Sequence, residues 1–182
     1  MDHRFHFEGL FAAILLGLFL TTVGYGFTYA VYQFALQPCT DSDFNLIFRY
    51  GVGAKNVLNT FKGTYTRDMV GDPPITVRLC LSEEELDRIY QKMVEIDFFN
   101  YPDKFHVQVH LEGVVGEVPP YSTYHFKVKY NNCEIKELVW ADNIISENER
   151  ADKLRELIKF IIEIIESKPE YKRLPEPRGA YC

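Results

Sequence analysis

Charge is missing from the front of this 182-residue sequence: no Asp, Glu, Lys or Arg lies between Leu10 and Leu36, and Arg4 is the one basic residue before position 38. Positive charge is short throughout. Twenty Lys and Arg stand against 26 Asp and Glu, for a net charge of −6, a poor balance for gripping a phosphate backbone, which argues against nucleic acid as a partner. Eleven Gly and nine Pro are too few for a collagen-like or low-complexity chain, and a composition 47% hydrophobic and 25% charged excludes intrinsic disorder. No G-x-S-x-G occurs and there are only five serines, so the sequence offers no nucleophile elbow. No Asn-x-Ser/Thr occurs either, which excludes glycan attachment through that signal.

What is present begins with a membrane anchor. A bilayer core of about 30 Å needs about 20 apolar helical residues, and residues 10–36 supply them after an N-terminal tail of residues 1–9. Phe5, Phe7 and Phe11 sit near one predicted interface, and Tyr25, Tyr29 and Tyr32 recur at helical spacing toward the other, where rings with a polar tip are favoured. A cleaved signal peptide is a poorer reading, because its apolar region spans only about 7 to 15 residues and ends at a small-x-small site. Cys39 is where a lipoprotein signal would be lipidated, but Gln37 and Pro38 ahead of it are not small. Thr22, Gly26 and Ala30 lie on one helical face and give a weak homodimer signal. The short N-terminal tail, one span and a following domain predict a single-pass signal-anchor with the domain outside the cytoplasm.

After a linker over residues 37–43, the alternation of Phe44, Leu46, Phe48 and Tyr50 with polar neighbours predicts a half-buried strand. A second extended stretch is expected from Leu58 to Arg67. A break follows at Gly71, Asp72, Pro73 and Pro74, then a strand through Ile75, Val77, Leu79 and Leu81. Ser82 and Glu85 form a capping box before the apolar stripe of Leu86, Ile89, Met93 and Ile96. Extended chain is expected at residues 106–112, with strands at 123–130 and 134–140 joined by a turn at Asn131 and Asn132. Ser146 and Glu149 predict a second capping box for a helix carrying Leu154, Leu157, Ile158, Ile161 and Ile165. Two β-β-α-like units with an extra strand describe one α+β domain over residues 44–167, with helices on one face of a mainly antiparallel sheet; residues 168–182 form a Pro-rich tail.

Candidate chemistry is thin. His106, His110, Glu112 and His125 are zinc-ligand types, but on a strand His106 and His110 are about 13 Å apart, too far to share one ion, which leaves one of them with His125 on a paired strand as the alternative to a solvated polar face. Asp41, Asp43 and Asn45 open like a calcium loop, yet Leu46 replaces the required Gly and Val52 the required Glu. Gly51 to Lys55 lacks the closing element of a phosphate loop. A Cys80 or Cys133 nucleophile paired with His is a minor reading. Cys39, Cys80, Cys133 and Cys182 in an extracytoplasmic domain are more naturally paired or buried, and four cysteines allow three connectivities. Tyr121, Tyr124, Tyr130, Tyr171 and Tyr181, near turns or the tail, are either partner contacts or the rim of a small core. These observations assign no catalytic, cofactor-binding or metal residue. They predict a membrane-anchored binding or accessory module; a membrane-tethered enzyme with a site assembled across strands, and a structural subunit of a membrane complex, are the alternatives.

Overall fold

Alternating apolar side chains need a second layer to cover them, and here one sheet and two helices provide it. The computed structural model describes residues 42–107, 120–131, 133–144 and 148–181. Strands β1 (Asn45–Tyr50), β2 (Asn56–Asn59), β3 (Thr64–Met69), β4 (Asp72–Arg78), β5 (Lys104–Phe105), β6 (Ser122–Tyr130) and β7 (Glu134–Asp142) form a single sheet. Its order is β4-β3-β2-β1-β6-β7-β5, and every pairing is antiparallel except β5 with β7. Helices α1 (Glu83–Glu95) and α2 (Glu149–Ser167), followed by the short α3 (Pro169–Lys172), complete an α+β fold.

The core lies between the helices and one face of the sheet. Leu46, Phe48, Leu58, Tyr65, Phe126, Val128, Leu138 and Trp140 point into it from the strands, and Leu86, Ile89, Met93, Leu154, Leu157 and Ile161 from the helices. Each is essentially buried, a gain of about 1.5–3 kcal/mol per large aliphatic or aromatic side chain. Phe48 stacks on Phe126 with centroids 4.6 Å apart, and Phe98 meets Phe126 edge-on at 5.2 Å.

The caps explain where the helices start. Ser82 Oγ accepts from the Glu85 amide at 3.2 Å, and Glu85 accepts from the Ser82 amide at 2.8 Å, so two amides of the first turn of α1 are satisfied reciprocally. The expected second box is corrected: α2 is capped by Asn148, whose Oδ1 accepts from the Ala151 amide at 3.0 Å. Ser146 lies outside the described residues.

Two strand expectations are also corrected. The stretch expected to run from Leu58 to Arg67 is split between β2 and β3 by a turn at Thr60 to Gly63. There the buried Thr60 Oγ1 accepts from the Leu46 amide at 2.8 Å, and the Thr60 amide donates to the Leu46 carbonyl at 3.0 Å. Pro73 and Pro74 belong to β4 rather than to a break, which an edge strand tolerates because one side of its ladder is unused. Of the extended run expected at 106–112, only the exposed His106 and the buried Val107 are described, just beyond β5.

Among the described residues no helix is long and apolar enough to cross a membrane. The span expected at 10–36, including Thr22, Gly26 and Ala30, lies outside them.

Candidate functional site

Because side chains alternate along a strand, the core-facing set fixes an opposite set on the face that, among the described residues, no helix covers. The register puts it in rungs. Lys129 of β6 pairs with Asn45 of β1 and Ile135 of β7; Lys127 pairs with Ile47 and Glu137; His125 pairs with Arg49 and Val139. Lys127 and Glu137 close a salt bridge of 2.8 Å. Phe61, in the turn between β2 and β3, stands beside this grid and is 44% exposed, while Ile135 is 60% exposed. Between them is an almost wholly apolar hollow of about 370 Å³, lined also by Ile47, Lys127, Lys129 and Cys133. A neighbouring hollow of about 210 Å³ runs over Ile47, Arg49, His125 and Val139. Apolar centres flanked by Arg and Lys suit contact with a partner surface rather than enclosure of a small substrate.

A second concavity, about 510 Å³, lies where the described chain begins, between Asp43, Phe44, Asp87, Tyr90 and Tyr130. Ser42, on its wall, is occupied as an acceptor from the Phe44 amide at 3.2 Å. The described lining contains no Lys, Arg or His.

The histidines are not brought together. His106 is exposed beyond β5 and His125 is on β6, with β7 between their strands, a separation of about 10 Å from strand spacing alone. His110 and Glu112 lie outside the described residues, and among the described residues no three metal-ligating side chains converge. Cys133 is a free, exposed thiol past the end of β6. His125 lies five residues before Tyr130, about 16 Å back along the strand from the end that Cys133 follows, so His125 and Cys133 make no dyad. Cys80 is held in a disulfide. Asp41 is outside the described residues. Gly51 to Lys55 forms a turn between β1 and β2, in which the Ala54 amide donates to the Gly51 carbonyl at 3.0 Å.

The five tyrosines divide. Tyr124 packs on Trp140, Tyr130 on Phe99 and Tyr171 beneath Arg67, with separations of 5.6, 4.2 and 5.0 Å. The Tyr181 hydroxyl bonds to Asp68 and accepts from Lys55. Tyr121 alone of this set is exposed. Sequence reasoning missed a buried pair: the Tyr50 and Tyr65 hydroxyls are 2.7 Å apart. Burial raises both acidities' midpoints, Tyr65 being pushed up to about 12 and Tyr50 further. Both therefore stay protonated and serve packing rather than base chemistry.

The uncovered grid was also missed. Its signal was the alternation of His125, Lys127 and Lys129 with apolar residues, but Arg49, Ile47 and Ile135 join it only once the register is known. Compared with models of known protein families, with curated proteins and with solved structures, the chain matches none.

Proposed function

We propose that the protein is a single-pass membrane protein, anchored by a transmembrane helix over residues 10–36, whose extracytoplasmic α+β domain is a binding or accessory module. The uncovered sheet face is its contact surface. The observation that carries this reading is the grid itself: Ile135, Val139 and Phe61 exposed, beside the half-buried Ile47, among Arg49, Lys127 and Lys129. Exposed apolar side chains gathered on one surface cost solubility and are kept for contact. The disulfide at Cys80 supports an oxidising compartment, because such bonds are rare in the cytosol. The uninterrupted apolar run supports the anchor.

Site-specific photo-crosslinking in intact membranes tests the contact face. A photoreactive residue at Ile135 or Val139 is expected to give a discrete adduct that the same residue at Glu84 or Lys159, on the helix side, does not. Adducts of equal yield from both sides, or none from the sheet, would contradict it.

A further inference from the structure

We infer that the disulfide partner of Cys80 is Cys39, so that the segment entering the domain is covalently fastened beside the start of α1. The inference rests on the extracytoplasmic reading, which supplies the oxidising compartment. Cys80 is disulfide-bonded and Cys133 is a free thiol, so the bond draws on Cys39 or Cys182.

The described chain nearest each candidate lies at opposite ends of the sheet. Cys80 follows β4 at the end marked by Arg78, which pairs with Thr64. The next residue back, Leu79, donates its amide to the Gly63 carbonyl at 2.9 Å. The turn carrying Gly63 is in turn bonded to the start of β1, through the paired contacts of Thr60 with Leu46. The entering chain therefore belongs to the Cys80 end. From Phe44, whose ring lies 5.3 Å from Tyr90 of α1, five residues lead back to Cys39, a reach of up to about 17 Å. That is enough to cross two or three strand spacings of ~4.8 Å and approach the residue just ahead of α1.

The C-terminal chain runs the other way. Arg67 holds the Pro175 carbonyl at 3.2 Å and Glu176 at 2.7 Å. Arg178 then bridges in parallel to Val70, at the β3–β4 turn. Tyr181, one residue before Cys182, is tied to Asp68 and Lys55, and Lys55 lies in the turn between β1 and β2. The seven residues of β4 from the β3–β4 turn to Arg78 cover about 20 Å, and the described tail as far as Tyr181 stays at the turn end, away from Cys80. A disulfide needs Cα atoms within about 7 Å.

Formation is a two-electron oxidation. The Cys39 and Cys80 thiols lose two protons and two electrons as the S–S bond forms, and the disulfide of an extracytoplasmic thiol–disulfide oxidoreductase is reduced to its dithiol. The bond would leave Gln37 and Pro38 as the only chain between the proposed span and a covalent fastening.

The test is trapping of free thiols with an alkylating agent in cells making the full chain, followed by non-reducing peptide mapping. The expected result is a peptide pair joining Cys39 to Cys80 that separates on reduction, with Cys133 alkylated. In the Cys39→Ser chain Cys80 should become alkylated, and in the Cys182→Ser chain it should stay protected. Cys80 joined to Cys182 or Cys133 would overturn the pairing and leave the compartment reading standing. Alkylation of all four cysteines would overturn both.

Discussion

Three buried residues with polar groups show how much of this domain's stability is held at single side chains. Tyr50 and Tyr65 share a hydroxyl contact of 2.7 Å inside the core, and removing one hydroxyl leaves the other short of a partner. Tyr50→Phe is expected to cost about 1–3 kcal/mol, read as a lower denaturant midpoint. The pair also sets an alkaline limit. Its acidity is weakened by burial, so its stabilising contribution is complete below the unfolded-state value near 10 and is lost as pH rises above it. Stability measured from pH 9 to 12 should therefore fall, and fall less in the Tyr50→Phe, Tyr65→Phe double variant; an unchanged slope would contradict the assignment. Arg67 is the third such residue. Only 8% exposed, it binds Pro175 and Glu176 and lies over the Tyr171 ring. Arg67→Ala should cost about 2–3 kcal/mol and make the chain beyond Arg173 cleavable by protease, whereas Lys172→Ala, at an exposed position, should do neither.

At the scale of elements, the helix starts are the most exposed to test. Ser82→Ala removes one half of the α1 box and should lower stability by about 1 kcal/mol; Asn148→Ala should do the same for α2. Glu85 adds a pH dependence. Burial alone would raise its acidity midpoint, but bonds from Lys168 and the Ser82 amide outweigh that and lower it. Its contribution is therefore complete above the unfolded-state carboxyl value and is lost as pH falls through the lower folded one. Glu85→Gln should flatten the stability profile between about pH 5 and 3, and an unaltered profile would remove Glu85 from the cap.

The strand β1, helix α1 and the β6–β7 hairpin were legible because each is specified locally, by alternation, by a Ser-x-x-Glu start and by Asn131, which takes a φ of +44°. The β2–β3 division was not, because its cause is Thr60 bonding to Leu46, fourteen residues away. The α2 start was misread by two residues because Ser146 and Glu149 reproduce the pattern by coincidence, while Asn148 does the capping. Pro73 and Pro74 read as a break because nothing local says that β4 is an edge. For the same reason the contact grid was only half visible: strand alternation places Lys127 and Lys129 on one face, but Arg49, Ile47 and Ile135 become their neighbours only through pairing.

For the whole molecule, the chain divides into two units at Gln37 and Pro38, and the second is compact, with its own sheet, helices and core. Residues 38–182 expressed alone should therefore melt cooperatively; a gradual, non-cooperative loss of structure would show that the first unit is needed for folding. The placement of that domain across the membrane is the claim on which both the binding reading and the disulfide depend. Cys133 reports on it directly, being an exposed free thiol at the hairpin beside the proposed contact face. The measurement is labelling of intact cells, with any outer envelope first made permeable, by a membrane-impermeant maleimide, with the Cys133→Ser chain as control. An extracytoplasmic domain gives Cys133-dependent labelling without lysis of the inner membrane. Labelling of Cys133 only after that membrane is broken would put the domain in the cytoplasm and contradict the reading.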